Sequence, residues 1–389
     1  AFINEHPDSP YAVKAQNKIE SLVIRLPIRE NGNWGFINGT GKKIIPSDYE
    51  KVGLFSEGYV KFRKNGLWGF MDEKGHEIIK PVYHSVKDFS EGLAVVMMKT
   101  RSLASFSAFY IDSNGNRPFD HVYETNGSYL PIHSFKEGLA AIEDPKSKKL
   151  GFIDKMGRFA IAPLFSPYYH PKGSNAEYPF SCFSEGYAWV KEASITGLID
   201  KKGIFLIKGN YNQPVSDSLS SVMTYKKSFC EGLCLVEEAP YSTRFYMDPS
   251  GKKVVNLPVG FAARNFSDGV AWTRSAYEKK FYLIDKEGKT IFSIEGTYVS
   301  DFHEGLAVIR RETPASRAYF YDETPKGTYS YIDKAGKTAF DFTFDIVYDP
   351  AFPLITGEFK NGVACILLEG KQTYINRKGE IIWQSPEYW

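Results

Sequence analysis

Cysteine is scarce in this chain, with four in 389 residues: Cys182, Cys230, Cys234 and Cys365. They form no CxxC pair and no Cys/His zinc spacing, so neither a disulfide framework nor a zinc module is written here. Buried reduced thiols are the expected state. Long apolar runs are missing too: no stretch approaches the roughly 18 residues that cross a bilayer, and a membrane-spanning helix is excluded. The chain opens on Ala1 with no basic or apolar leader pattern, and a leader removed ahead of it is expected. Charge of one sign is absent in the same sense. Lys and Arg number 48 against 46 Asp and Glu, and no five like charges run together, which excludes a nucleic-acid footprint.

Catalytic signatures are thin. The seven histidines fall in no HExxH, and no GxSxG nucleophile elbow occurs, so zinc and nucleophilic hydrolase readings fail. Gly288-Lys289-Thr290 imitates the end of a phosphate loop, but the glycine needed upstream is Leu283. No cofactor and no metal is expected.

Aromatic residues, in contrast, make up 15% of the chain, with 25 Tyr and 29 Phe, which favours strands over a helical bundle. They recur in a pattern. NWGFINGTG at 33–41 returns as LWGFMDEKG at 67–75, and the phrase continues in seven looser copies. The nine copies end at Gly41, Gly75, Gly115, Gly157, Gly203, Gly251, Gly288, Gly336 and Gly379. Between them stand eight copies of a second phrase, FSEGYV (55–60), FSEGLA (89–94), FKEGLA (135–140), FSEGYA (183–188), FCEGLC (229–234), FSDGVA (266–271), FHEGLA (302–307) and FKNGVA (359–364).

Each piece has strand length and none has helix length. In I-D-x-x-G the Asp or Asn accepts backbone N–H groups inside a turn, and the glycine supplies the positive φ of a bulged hairpin corner. Two positions after the FxEG glycine stands a small residue in seven of eight copies: Ala94, Ala140, Ala188, Cys234, Ala271, Ala307 and Ala364. Such a column marks a crowded point between stacked units. The run LAVVMM (93–98) does not alternate, so both faces of that strand should be covered.

These residues resemble the bacterial WG-repeat proteins, named for Trp-Gly pairs such as Trp34-Gly35 and Trp68-Gly69. The likeness extends over about 22–385, and later copies replace the Trp. It implies an all-β repeat protein and supplies no functional residues.

The expected fold is therefore all-β: nine tandem WG-type antiparallel hairpin or meander units across 22–389. Residues 1–21 read as a short N-terminal helical segment, possible remnant of a helical repeat, with Ser9 as N-cap and Pro10 at N1. Units of 34 (Gly41 to Gly75) to 48 residues (Gly203 to Gly251) match a propeller blade, so a propeller-like ring is preferred. An open β-solenoid is the alternative, because nine units exceed the usual roughly four to eight blades.

The acidic column Glu57, Glu91, Glu137, Glu185, Glu231, Asp268 and Glu304, with Asn361 as eighth member, reads as a set of local capping carboxylates and not as a ligand ring. Insertions that break the period are better candidates for a binding surface. Tyr168, Tyr169, His170 and Tyr178 crowd one of them, and Arg310, Arg311, Tyr319 and Tyr321 another; TRSLASFSAF (100–109) enlarges a third hairpin. The sequence thus points to a non-enzymatic scaffold that binds an unidentified protein or a cell-surface glycan, in the bacterial envelope or secreted. A propeller-type carbohydrate-active enzyme, resembling a glycoside hydrolase, is the alternative.

Overall fold

The computed structural model describes residues 24–101, 105–125, 132–167, 182–193, 195–209, 211–212, 229–238, 243–275, 278, 280–311, 329–340, 342–346 and 355–389. The helix expected within 1–21 lies outside the described residues. Among those described there is no helix, and the strands form nine antiparallel sheets of three or four strands each. In chain order the sheets occupy 25–49, 51–83, 85–125, 140–165, 187–209, 211–256, 261–295, 298–333 and 363–384. Each is a meander of neighbours in sequence, the topology that short hairpin turns allow.

Both turn phrases act as hairpin corners. In D-x-x-G, Asp72 Oδ1 accepts the N–H groups of Lys74 (2.8 Å) and His76 (2.9 Å), while Gly75 sits at φ +85°. The F-x-E-G phrase is a tighter corner: Ser56 and Tyr59 exchange both backbone bonds, and the two residues between them, Glu57 and Gly58, have φ +54° and +83°. That is a two-residue primed turn.

The Trp-Gly pair has a separate cause. Opposite Gly69 the partner strand bulges, since Trp68 pairs with Tyr83 and Phe70 with Ile79. The bulge carries Lys80-Pro81 across the glycine, where a Cβ would stand 2.4 Å from the Ile79 carbonyl oxygen. The first and fourth sheets repeat this with Gly35 under Pro46 and Gly151 under Pro163. In the seventh sheet the equivalent residue is Tyr282, the facing strand has no proline, and the register there is regular. The fifth sheet keeps the glycine without the bulge, Thr196, Gly197 and Leu198 pairing in regular register with Gly209, Lys208 and Ile207.

The core is divided between sheets. Among the described residues nine buried apolar clusters occur, and eight of them each join one sheet to the next. The strand 94–99 explains the unalternating run: Ala94 and Val96 pack toward the second sheet, whereas Leu93 and Val95 pack toward the fourth. Burial on both faces holds over 93–96, and Met98 is exposed. The seven small residues of the column are all buried, at 2% exposure or less.

The ninth cluster joins the last sheet to the first: Val363, Cys365, Leu367 and Tyr374 pack on Leu26, Ile28 and Ile37. Polar contacts follow the same seam. Tyr374 Oη and Gln372 Nε2 both donate to the Pro27 carbonyl (2.7 and 2.9 Å), and the Arg29 N–H donates to Gln372 Oε1 (3.3 Å). Gly41 lies against Ile382 of the ninth sheet much as Gly75 lies against Ile45 of the first.

Of the four cysteines, Cys234 and Cys365 are buried, and Cys182 and Cys230 are half-buried, a correction to uniform burial. Desolvation pushes the Cys234 and Cys365 thiols up to about 12. We expect a thiol reagent at pH 8 to modify no more than two sulfurs per native chain and four in denaturant; titration of four in the native protein would contradict this packing.

Candidate functional site

The acidic column occupies strained backbone. Glu57, Glu91, Glu137, Glu185, Glu231, Asp268, Glu304 and Asn361 all have φ between +52° and +57°. Primed turns ordinarily place Asn or Asp at this position, so a run of Glu needs a reason beyond the turn.

The reason is reach into the neighbouring sheet. Glu91 Oε2 accepts the Gly138 N–H at 2.9 Å, Glu137 Oε2 that of Gly186 at 2.9 Å, and Glu231 Oε2 that of Gly269 at 2.9 Å. Asp268 and Glu304 repeat the bond to Gly305 (2.6 Å) and Gly362 (2.9 Å). Glu57 and Glu185 each accept two N–H groups, Glu57 from Glu91 and Gly92, Glu185 from Glu231 and Gly232. Each carboxylate therefore fastens its own turn to the next one along the chain. The expectation of a local cap is corrected to this extent: the acceptor role holds, and the donors belong to the next sheet.

A lysine column completes the joint. Lys155, Lys201 and Lys286, each directly after the Asp of I-D-x-x-G, pair with Glu91 (3.3 Å), Glu137 (3.1 Å) and Glu231 (3.3 Å). Lys334 donates to the Asp268 carbonyl oxygen. Where this position is Ser113 or Pro249 no cation is available, and there the carboxylates of Glu57 and Glu185 take the second N–H instead. This coupling was readable in the sequence as a Lys one residue past the Asp, and sequence reasoning missed it. Ser hydroxyls add a third strand to the joint, with Ser56, Ser90, Ser184 and Ser267 donating to the carbonyls of Phe89, Phe135, Phe229 and Phe302 in the following turns.

Among the described residues no group of three or more His, Cys, Asp or Glu is placed to hold a metal ion. Since backbone N–H groups and Lys already fill the carboxylates, a chelator should leave the melting temperature unchanged. A fall of several degrees on adding EDTA would mean that a bound ion stabilises the fold by mass action.

The insertion residues fare differently. Tyr168, Tyr169, His170, Tyr178, Tyr319 and Tyr321 lie outside the described residues. Arg310 ends the strand Leu306–Arg310, half-buried, with its guanidinium 5.9 Å from the ring centroid of buried Tyr329. Arg311 is exposed. The stems of both insertions, at Phe165 and at Arg310 and Tyr329, stand at the sheet end opposite the paired turns.

A cavity of about 530 Å³ lies between the ninth, first and second sheets, with His303 of the eighth sheet's turn at its edge. Leu26, Leu54, Phe55, Phe359 and Val363 give it an apolar wall, and Arg25, Glu73, His303 and Glu358 a polar one. Arg25 is engaged there, its Nη2 2.9 Å from Glu73 Oε2 and its Nε donating to the Glu73 carbonyl.

Against known families, residues 34–68, 68–99 and 283–312 match the WG containing repeat. Those three segments are WG repeats. The match is narrower than the likeness over about 22–385, and its third segment begins in the seventh sheet, where Phe281-Tyr282 stands in place of Trp-Gly. No curated protein matches the chain in sequence. Solved structures similar to this chain include Hsv2 from Kluyvelomyces marxianus, 11% identical over 69% of this chain and 94% of that one, TM-score 0.35. AztD from Citrobacter koseri is 13% identical over 81% of this chain and 92% of its own, TM-score 0.34. Among the described residues no helix is long and apolar enough to cross a membrane.

Proposed function

We propose that the nine sheets are blades of a closed propeller-like ring, and that the ring is a non-enzymatic scaffold. Its ligand is a protein or a cell-surface glycan, met in the bacterial envelope or outside the cell. The observation that carries this reading is the use of the repeated acids: the carboxylates that a glycoside hydrolase would need from successive repeats accept N–H groups of the next turn. Such groups hold blades together and have little capacity left for proton transfer.

The seam supports the ring, since the ninth cluster and the Gly41 contact repeat at the ends of the chain what joins neighbours elsewhere. A rigid ring with its turns locked at one end leaves the other end to the insertions, where Arg311 is exposed. Aromatic and guanidinium groups on such a rim suit sugar faces or protein hot spots.

The test is a glycan array, with capture from envelope extracts in parallel, using the full chain and a Tyr168→Ala, Tyr169→Ala, Arg311→Ala variant. A ligand held by the parent and lost by the folded variant supports the scaffold reading. Turnover of a glycoside substrate would replace it with the enzyme.

A further inference from the structure

In every sheet after the first, the strand that pairs with the I-D-x-x-G strand on its N-terminal side follows an F-x-(E/D/N)-G turn; in the first sheet no such phrase stands ahead of Arg25–Glu30. Arg25 pairs with Asn38 as Tyr59 pairs with Asp72, and in the sequence the four residues ahead of Arg25 read Ser21-Leu22-Val23-Ile24 where those ahead of Tyr59 read Phe55-Ser56-Glu57-Gly58. Residues 1–24 contain no F-x-(E/D/N)-G anywhere.

The 530 Å³ cavity lies where that ninth turn would stand. In the other units the turn Phe packs between its own sheet and the one before, as Phe89 and Phe135 do. Here the corresponding space is walled by Leu26, Val363, Cys365 and Tyr374. Elsewhere the turn carboxylate meets the backbone of the next turn, and the turn glycine N–H meets the side chain of the previous one. At this junction, among the described residues, the N–H groups of Glu57 and Gly58 have no hydrogen-bond acceptor, and the Asn361 side-chain amide, which lines the cavity, has no hydrogen-bond partner. Phe55, whose carbonyl is the counterpart of those that receive a Ser hydroxyl, lines it too.

Resting on the ring reading, we propose that this cavity is a recognition site for a peptide segment of another molecule that carries an aromatic residue, a spacer, an acid and a glycine. The aromatic ring enters the apolar wall between the ninth and first sheets. The carboxylate accepts the Glu57 and Gly58 N–H groups, and the glycine N–H donates to Asn361 Oδ1. Seven intramolecular copies of the same joint define the chemistry this junction will accept. The first junction also reverses the ionic pattern, with Arg25 on Glu73 where later units place Lys on Glu, so a bound acid approaches beside a cation.

The probe is a fluorescein-labelled peptide of residues 86–96, VKDFSEGLAVV, titrated with the full chain by fluorescence anisotropy. Saturable binding is expected, weakened at least about tenfold when the peptide carries Phe89→Ala or Glu91→Gln. Leu54→Trp in the protein, an exposed wall position, should fill the cavity and abolish binding without moving the melting temperature. Absence of saturable binding by the full chain overturns the proposal, including the case in which residues 1–23 occupy the cavity and their removal uncovers it. Equal affinity for the two altered peptides overturns it as well. Cysteine cross-linking between the first and last sheets separates the two readings: a closed ring that binds no peptide removes this site alone, and an open chain removes the ring.

Discussion

Replacing Gly75 by Val should cost about 1–3 kcal/mol of folding free energy, because a β-branched residue is forced into a left-handed conformation. Gly75 has φ +85°, and a Cβ there would meet Ile45 Cγ1 of the first sheet at 3.2 Å. Two effects therefore add: local backbone strain, and a collision at the contact that joins sheets. Glu91→Gln makes the informative contrast within the same part of the molecule. Gln keeps an oxygen for the Gly138 N–H and loses the charge that faces Lys155, a partly exposed pair, so its cost should be about 1 kcal/mol or less. Denaturant midpoints for the two variants would decide the matter, and a Gly75→Val protein as stable as its parent would show that D-x-x-G is not a strained corner.

The second large effect is expected at the seam. Tyr374 is 3% exposed, packs with Leu26 and Ile28 across the joint, and donates to Pro27, 347 residues away in sequence. Tyr374→Ala removes a buried ring and one hydrogen bond, for which truncations of this size cost about 3–5 kcal/mol. In the proposed ring that loss is shared by the whole structure, since opening one joint frees both ends. A single cooperative transition shifted to lower denaturant is the expected outcome. An early transition confined to the two terminal sheets, read by limited proteolysis at the ends, would instead match an open stack in which each repeat contacts only its neighbours.

Much of the molecule was legible before any coordinates, and the reason is distance along the chain. Strand length, the D-x-x-G corner and the small-residue column depend on residues within one unit, and nine copies average out the exceptions. Gly75 at positive φ and the buried Ala94, Ala140 and Ala188 are the direct outcome. A lone copy such as QTYINRKG (372–379) would have been read with far less force.

What the sequence alone determined is an all-β repeat with hairpin corners at fixed letters, because a turn's backbone geometry is imposed by the few residues inside it. Tertiary structure alone decided whom those letters serve. Glu91 stands two residues from Phe89 in the sequence, yet its partner is the N–H of Gly138, and nothing in F-x-E-G states whether the carboxylate turns inward or outward. The seam is the extreme case. Tyr110, Tyr246 and Tyr331 hold the place of Tyr374 in their units and donate to the carbonyls of His133, Arg264 and Gly357, each two residues ahead of a turn Phe, whereas Tyr374 donates to Pro27, which precedes no such turn, so internal comparison could not supply that partner. Local rules fix a conformation because it recurs wherever the letters recur; a contact between the two ends of the chain exists once, and only the accumulated geometry of all the sheets between them brings it about.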